Sequence, residues 1–481
     1  MLGVTAGIGP GMATPSNDAV TSDPPRTSSE PAATSGPGPL PVLSPADTAR
    51  LLGTALGPII AQGVIARRPR VVALAGRLGT DDAAVRLLQQ LRARYGDGPV
   101  RVPLPGRPFA LVLDGDGVRR VLTEGPEPFA PASWEKRGAL GHFQPHGVLV
   151  SHGDARAERR RFTETVLDTG TPLHTDAAHI AAVARAETGA LRDIAARTGV
   201  LSWDDFVRSW WRTVRRIVLG PQARDDHDLT DTLTRLRGRG NWSFLAPRHD
   251  HLRERFAAGV RRHLDRAAPG SLAARIAAQD PGTGITPEDQ VGHWLFAWDP
   301  GAAVTFRALA LLATHPQVRG RARAEIAEGA QDGPPELPVL RAAVLESTRL
   351  WPTTPLLLRE STRATRWPGG DLAAGTSVLV PAWFLHRDDT RRSDADTLDV
   401  DQWLDGSATD DWMLTPFSGG HGICPARELV LFVASTVLAA LLDGHHTVLL
   451  PPESFDPSAP LPRGLNPYAM RFGVSRAATT P

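Results

Sequence analysis

The chain has 481 residues, of which 41% are hydrophobic and 22% are charged, so it can bury a large core. Its 53 basic and 52 acidic residues give a net charge of +1, which provides no reason to expect a nucleic-acid partner. The single cysteine excludes an intrachain disulfide and a multi-cysteine metal cluster, and it suits a reducing cytoplasm. Lys136 is the only lysine, and this arginine bias indicates a GC-rich bacterial genome.

Residues 1–45 are rich in Pro, Ser, Thr, Gly and Ala and show no hydrophobic period. We therefore expect a disordered tail ahead of one domain at 46–481. The tail lacks the charged and apolar segments of a signal peptide. The chain also lacks a run of about eighteen uninterrupted apolar residues, the length that a spanning helix requires. These patterns predict a cytoplasmic protein without membrane contact.

The elements change character along the chain. A helical pattern with a capping serine begins at Ser44, and the segment VRVPLPGRPFALVLD predicts a small sheet. Long helical patterns dominate from about residue 155 to residue 350, and short strands follow in LLLRESTRATR and GTSVLVPA. The sequence predicts one mainly α domain with minor β structure.

One predicted helix opens at Thr286-Pro287 and is apolar on nearly every face, which is typical of a helix at the centre of a large protein. Its middle contains Asp299-Pro300-Gly301, where proline removes a hydrogen bond, so we expect a kink. A buried acid is costly unless it is paired, hydrated or functional. Alternatively, Asp299 only caps a second helix that begins at Pro300.

Glu346 and Arg349 are three residues apart in the helical segment PVLRAAVLESTRLW, so they share a face and can form an ion pair. Most such pairs are solvated, and the spacing alone does not distinguish a surface pair from a special one.

The only cysteine, Cys424, lies in the segment FSGGHGICPAREL. Its glycines permit a tight loop, and Pro425 is placed to start the next helix. A helix N-terminus favours a thiolate, the form that ligates metals or acts as a nucleophile. Three interpretations remain open: an inert buried thiol, a metal ligand, or a nucleophile that needs a histidine base.

The order of Glu346-x-x-Arg349 and Phe417-x-x-Gly420-x-x-x-Cys424, with a kinked apolar helix upstream, resembles the cytochrome P450 family over roughly residues 46–475. The resemblance implies the single-domain P450 fold and a haem b group (iron protoporphyrin IX). Cys424 is then the thiolate axial ligand of the iron, with Phe417 at the start of its loop. Glu346 and Arg349 become the buried pair that braces the haem-binding core.

The resemblance also implies partners for the haem propionates. Arg160 matches the family's arginine, Arg156 replaces the aromatic residue or histidine four positions earlier, and Arg359 matches a further partner. Two arginines four apart lie on one helical face and suit a propionate, although an arginine-rich solvated face is the alternative. His421 either substitutes for a basic residue of the cysteine loop or faces solvent.

Three positions depart from the family pattern. Gly422 stands where the cysteine loop usually has a basic residue, and Ala426 stands where it usually has glycine. Gln402 replaces the basic residue expected to join the Glu/Arg pair. The third member of that network is therefore in doubt.

The largest departure lies in the central helix. Counted back from His315-Pro316, the family's acid and threonine positions hold Asp299 and Pro300, the residues we assign to catalysis. Proline cannot donate a hydrogen bond, so we expect proton delivery through Asp299 with water, or through a substrate hydroxyl. Counting forward from Ala297 instead places the family's acid position at Pro300 and its threonine position at Gly301.

The leading hypothesis is a bacterial haem-thiolate monooxygenase of secondary metabolism that uses dioxygen and separate electron donors of the ferredoxin/ferredoxin reductase type. A peroxide-using enzyme and a haem-binding protein without turnover are the alternatives. Trp298, Thr354 and Leu356 fall where the family lines its pocket, and they indicate a small hydrophobic substrate. We expect a monomer that contacts neither nucleic acid nor membrane.

Overall fold

The domain begins earlier than the sequence indicated. A computed structural model describes residues 39–279, 282, 284–329, 333–453 and 455–477, so residues 1–38 of the predicted tail lie outside the described residues. Residues 39–45 are packed, because Leu40 and Leu43 are only 1% and 2% exposed. The Leu43 N–H also donates to the Arg101 carbonyl at 2.9 Å. The boundary expected at residue 46 is therefore wrong by several residues, since two leucines anchor the proline-rich segment.

The described residues form a mainly helical fold. The α-helices are α1 Pro45–Leu51, α2 Gly57–Gln62, α3 Pro69–Arg77, α4 Thr80–Tyr95, α5 Gly115–Thr123, α6 Trp134–Leu140, α7 Gly153–Val166, α8 Ala177–Thr198, α9 Trp203–Leu219, α10 His227–Gly240, α11 Asp250–Leu264, α12 Leu272–Ala277, α13 Pro287–Thr314, α14 Pro316–Glu328, α15 Pro338–Leu350, α16 Ala382–Leu385, α17 Asp401–Leu404 and α18 Arg427–Leu442. A π-helical turn, Leu52–Leu56, joins α1 to α2.

The strands are short. They are β1 Val100–Val102, β2 Phe109–Leu111, β3 Phe129–Ala130, β4 Val200–Ser202, β5 Leu356–Ser361, β6 Thr365–Trp367, β7 Gly370–Leu372, β8 Ser377–Pro381, β9 His445–Leu449 and β10 Arg471–Arg476. The first sheet has the order β1-β2-β8-β5-β3, the second has β4-β10-β9, and β6 pairs with β7. Only β2 and β8 are parallel among the described pairs.

The buried hydrophobic residues form two cores. The larger one packs the helices around α13, and the smaller one packs α4 and α5 against the five-stranded sheet. α13 is long and apolar enough to cross a membrane by composition, but 72% of its most apolar window is buried inside the protein. Its apolar character on nearly every face is therefore explained by its central position.

Pro300 does not end the central helix. α13 runs without interruption from Pro287 to Thr314, so the alternative in which Asp299 caps a second helix is wrong. The indole Nε1 of Trp210, on α9, donates to the Trp298 carbonyl at 2.9 Å beside the proline. A Cβ on Gly301 would lie 2.9 Å from the Trp210 ring. The glycine therefore lets a tryptophan approach the helix at the point where proline weakens its hydrogen bonding.

Candidate active site

The loop that carries Cys424 is closed by its own backbone. The Cys424 N–H donates to the Phe417 carbonyl at 2.9 Å, which joins the two ends of the predicted motif. Gly420 has φ of +54°, and a Cβ there would lie 2.1 Å from the Leu122 carbonyl oxygen. Glycine is therefore required at this position by conformation and by space. The loop ends before α18, which begins at Arg427.

The position of Cys424 before α18 does not by itself give a thiolate. Burial raises the pKa of the Cys424 thiol, and this effect outweighs the Ala426 N–H and the charges of Arg160 and Arg427, which lower it. The expectation that the helix N-terminus favours a thiolate is wrong for the free side chain. Coordination to a metal ion would itself remove the proton.

Three predicted arginines converge on this loop. Arg156 and Arg160, on α7, donate to the carbonyls of His421 and Ile423 at 2.7 and 2.8 Å. Arg359, on β5, donates to the Ser418 hydroxyl at 3.0 Å. The structure thus brings together residues from two distant segments around the cysteine loop.

Gly422 and His421 do not supply the loop with a basic side chain. His421 is exposed and accepts the Arg156 hydrogen bond through its backbone oxygen, so the interpretation in which it faces solvent holds. A Cβ on Gly422 would lie 2.3 Å from Nη2 of Arg359. Arg359 therefore occupies the space beside Gly422 and brings a positive charge there from the sheet.

A fourth cation lies near these arginines. The Lys136 ammonium, on α6, donates to the carbonyls of Pro131 and Leu358 at 2.8 and 3.0 Å. Burial and the charge of Arg359 hold the pKa of Lys136 well below its usual value. Burial and the charge of Arg156 lower the pKa of Arg359 to about 10. The cations around the loop repel one another, so the arrangement favours an anionic ligand.

Glu346 and Arg349 form a fully buried ion pair within α15, beside the segment that follows α16. Both links between guanidinium and carboxylate are 2.7 Å long, and both side chains are 0% exposed. Burial lowers the pKa of Arg349, but the Glu346 carboxylate outweighs it and the net shift is upward. The Arg349 guanidinium also donates to the carbonyls of Ala395 and Thr397 at 3.0 and 2.6 Å. The solvated-surface alternative for this pair is wrong.

Gln402 joins the network around Glu346 and Arg349 through an uncharged amide. Its amide donates to Glu346 Oε1 at 3.1 Å, and its carbonyl oxygen accepts a hydrogen bond from Arg392 at 2.9 Å. The indole of Trp403 donates to the same carboxylate at 2.7 Å. The third member, which the sequence left in doubt, is thus an amide that links the pair to an arginine.

A cavity of about 570 Å³ lies against one face of α13. Phe296, Asp299, Pro300, Ala303 and Arg307 contribute to its wall, with the spacing of a single helical face. The predicted pocket residues Thr354 and Leu356 also contribute to the wall. A more open groove of about 710 Å³ lies between α8, α14 and α18 and contains none of the predicted site residues.

Trp298 is not a pocket residue. It is 3% exposed and packs against Trp210, with ring centroids 5.8 Å apart, on the core side of α13. The prediction is wrong because residues 299, 300 and 303 share the helical face toward the cavity, while residue 298 points away from it.

Asp299 is paired with a residue that the sequence analysis did not single out. Arg237, on α10, donates to Asp299 Oδ2 at 2.7 Å and to the Ile65 carbonyl at 3.1 Å. Its guanidinium also lies 5.1 Å from the ring centroid of Phe296. The half-buried acid on the central helix is therefore compensated by an ion pair with a buried arginine from a neighbouring helix.

Residues 57–77, which include α2 and α3, line the cavity along much of their length, and Arg237 reaches it from residues 227–245, which include α10; we call the two segments the cavity cover. Asn241 joins them with three hydrogen bonds. Its Oδ1 accepts from the N–H groups of Ile65 and Ala66 at 2.9 and 3.1 Å, and its Nδ2 donates to the Ala66 carbonyl at 2.8 Å. Arg237 and Asn241 therefore hold the two segments together.

Comparisons with known proteins agree with this architecture. Residues 297–465 match the family model "Cytochrome P450". A cyanobacterial cytochrome P450 with bound retinoic acid superposes with a TM-score of 0.64 at 19% identity, over 81% of this chain and 94% of that one. Residues 297–465 are therefore similar to the cytochrome P450 family. The P450 fold and the mainly α prediction are confirmed.

Curated relatives of this chain match shorter segments. Ferruginol synthase of Salvia pomifera is 36% identical over 127 residues, which are 25% of this chain and 28% of that protein. Methyltetrahydroprotoberberine 14-monooxygenase of Papaver somniferum is 30% identical over 160 residues, which are 31% of this chain and 30% of that protein. The matches therefore span less than a third of these relatives. Both are plant enzymes, which contradicts the bacterial assignment drawn from the arginine-rich composition.

The P450 family implies haem, and the residues present fit it. Haem b carries two propionates and an iron that needs an axial ligand, while the cysteine loop offers one thiol and a group of buried cations. The Nε of Arg156 and the Nδ1 of His293 are buried, with no hydrogen-bond partner among the described residues. Arg156, Arg160, Arg359 and Lys136 are the residues that would hold the propionates.

Sequence reasoning about this chain missed two site residues. Arg237 had no signal because its partner Asp299 is 62 residues away and α10 shows no motif. Lys136 did carry a signal, since a single lysine in an arginine-rich chain marks a position where the type of cation matters.

Proposed function

We propose that the protein is a haem-thiolate monooxygenase that oxidises a small apolar molecule with dioxygen and electrons from separate redox proteins. The observation that carries this proposal is the closed loop of Cys424 with three arginines hydrogen-bonded to it. A haem group bound there supplies activation of dioxygen and insertion of one oxygen atom into the substrate. The plant relatives, a synthase and a 14-monooxygenase by name, support a substrate from secondary metabolism.

The chain's own residues have distinct roles in this proposal. Cys424 ligates the iron, and Arg156, Arg160, Arg359 and Lys136 neutralise the propionates. The cavity wall is largely apolar, so it excludes water and favours an apolar ligand.

Asp299 would transfer the proton that turnover with dioxygen requires. Arg237 donates to its Oδ2, which leaves Oδ1 as the atom that can take or give a proton through water. The ion pair fixes the carboxylate on the cavity wall, and Pro300 beside it offers no hydroxyl.

The proposal also includes electron donors of the ferredoxin/ferredoxin reductase type and a cytoplasmic location for the protein. The single cysteine supports a reducing compartment, and no other feature of the described residues bears on the location.

The carbon monoxide difference spectrum of the dithionite-reduced protein tests this function. We expect a strongly red-shifted Soret band in the wild type that Cys424→Ser loses. Arg70→Gln, an exposed substitution away from the cysteine loop, should keep the band. A band at the shorter wavelength typical of histidine ligation, or a chain that binds no haem, would reject the proposal.

A peroxide-using enzyme is the second candidate, and Pro300 is the observation that favours it. A side chain without a hydroxyl lies on the cavity wall beside Asp299, where proton delivery to dioxygen would need a donor. Turnover with hydrogen peroxide, but none with dioxygen and any electron donor, would establish this alternative.

A further inference from the structure

A group of ionisable side chains lines one end of the cavity, away from the cysteine loop. Its members come from the cavity cover, α4, α13 and the segment before β10, and they are Arg67, Asp81, Arg237, Asp299, Arg307 and Tyr468. They interact electrostatically: burial raises the pKa of Tyr468, Asp299 raises it further, and Arg307, Arg67 and Arg237 oppose the rise. A cavity for a purely apolar ligand needs none of these groups.

The charges in this group do not cancel. Three arginines face two aspartates, and the Asp299 carboxylate is already paired with Arg237. Burial raises the pKa of Asp81 in spite of the nearby charges of Arg307 and Arg67. Neither Arg67 nor Arg307 forms an ion pair with a carboxylate among the residues that the structure describes. The end of the cavity therefore carries excess positive charge.

Arg307 is held in place by the backbone. Its two terminal nitrogens donate to the carbonyls of Trp351 and Leu465 at 3.0 and 2.6 Å. Its Nε is buried and has no hydrogen-bond partner within the described part of the chain. Burial lowers the pKa of Arg307 to about 10, so the guanidinium remains charged at neutral pH. A fixed, charged and incompletely hydrogen-bonded guanidinium is a preorganised anion site.

Arg67 adds a second donor from the cavity cover. One of its nitrogens donates to the Thr353 carbonyl at 3.0 Å, which places the guanidinium beside the predicted pocket residue Thr354. Tyr468 contributes a phenolic hydroxyl to the same cavity wall, and both arginines lie near enough to affect its pKa. Two guanidinium groups and one hydroxyl can together donate to both oxygens of a carboxylate.

We propose that the substrate is amphipathic, with an apolar body against α13 and a carboxylate or similar anionic oxygen group bound by Arg67, Arg307 and Tyr468. This proposal rests on the proposed function and narrows its substrate class. The apolar part of the cavity wall near Phe296 and Ala303 fits the body, and Arg307 lies one helical turn further along the same face. An uncharged ligand of the same shape would leave the two guanidinium groups buried without an anion.

Isothermal titration of the haem-loaded full chain at pH 8 with decanoate and with 1-decanol tests this proposal. The probes share their alkyl chain and differ at the charged end. We expect decanoate to bind at least about tenfold more tightly, because charge-assisted hydrogen bonds replace uncharged ones. Arg67→Gln and Arg307→Gln should each weaken decanoate binding about 10- to 100-fold while 1-decanol binding stays within about twofold.

Arg70→Gln is the matched control, since Arg70 is an exposed arginine three residues from Arg67 that does not line the cavity. It should bind both probes like the wild type. Because Arg307 also anchors two carbonyls, Arg67→Gln and the comparison of the probes on the wild type decide the result if Arg307→Gln does not fold. Equal affinity for the two probes, or failure of decanoate to bind, overturns the proposal. Neither result affects the haem assignment, which is read from the carbon monoxide spectrum.

Discussion

The contact between Arg359 and Gly422 shows how a missing basic residue is replaced. The guanidinium of Arg359 lies where a side chain at position 422 would begin, and it donates to Ser418 of the same loop. The charge beside the cysteine thus comes from strand β5. A change at either position should therefore affect retention of an anionic cofactor.

Gly422→Ala tests this contact. Its Cβ would lie 2.3 Å from Nη2 of Arg359, so the flexible guanidinium must move away from the loop. We expect the variant to fold and to lose haem faster than the wild type, by about tenfold, because one charge-assisted contact with a propionate is weakened. Haem transfer to apomyoglobin measures the rate. Gly98→Ala, where a Cβ meets nothing within 4 Å, should match the wild type, and an unchanged rate in Gly422→Ala would contradict the role of Arg359.

The ion pair between Asp299 and Arg237 permits a test of proton delivery. Asp299→Asn should retain haem and lose dioxygen-dependent turnover, because an amide cannot take or give the proton. Arg237→Gln keeps the carboxylate and should retain most of its turnover with altered substrate affinity, since it loosens the cavity cover. Product formation per electron consumed measures the difference. Normal turnover in Asp299→Asn would remove Asp299 from the mechanism.

Residues within one loop or one helix could be predicted, and residues brought together from distant segments could not. The motif around Cys424 is local, so its residues could be read from the sequence, but only the resemblance to a known family chose among the three interpretations of the cysteine. Trp298 was assigned to the pocket from its neighbourhood in sequence, but helical rotation by one position turned it toward Trp210 in the core. Arg237 meets Asp299 only through the packing of α10 on α13, which no local pattern reveals.

The network around Glu346 connects α15 with α17 and with the segment before α17. Glu346→Gln leaves the Arg349 guanidinium fully buried without its counter-charge, so we expect a loss of about 3–5 kcal/mol in the free energy of unfolding. Urea unfolding followed by circular dichroism measures the loss.

The matched control for Glu346→Gln is Arg208→Gln. It removes another i, i+3 ion pair, but Arg208 and Asp205 are 56% and 42% exposed. Arg208→Gln should lower the free energy of unfolding by less than about 1 kcal/mol. Similar losses in the free energy of unfolding would show that the buried pair stabilises the fold no more than an exposed pair does.

The type of most elements could be predicted, whereas their pairing could not. Alternation and prolines indicated β1, β2, β5 and β8, and helical periodicity indicated the long helices. The parallel pairing of β2 with β8 joins strands more than 260 residues apart in the chain, through contacts that form only after folding. The short strand β4 was missed because three residues give no period.

At the scale of the whole molecule, buried histidines make stability depend on pH. His386 is fully buried, accepts the Thr415 N–H at Nε2 and faces the Arg349 carbonyl with Nδ1, so it is neutral. Burial and the charge of Arg349 lower its pKa to about 3, against about 6.5 in the unfolded chain. The unfolded state thus binds a proton that the folded state does not bind.

The free energy of unfolding should therefore be intact above about pH 6.5 and fall as the pH drops toward 3, with His386 contributing about 1.4 kcal/mol per pH unit. Urea unfolding between pH 7.5 and pH 5 measures the slope. His386→Asn, which cannot be protonated, should show a shallower slope by about that amount. Parallel slopes in the two proteins would mean that His386 is not the titrating group.

Asn241 has a consequence for how ligands enter and leave the cavity. Its one side chain makes all three of the hydrogen bonds that tie it to Ile65 and Ala66, and it does so without lining the cavity itself. Loss of this amide would speed opening of the cavity cover and leave the wall that contacts a ligand unchanged. A change at Asn241 should therefore alter the residence time of a ligand without altering selectivity, whereas a change at Arg237, which also lines the cavity, should alter both.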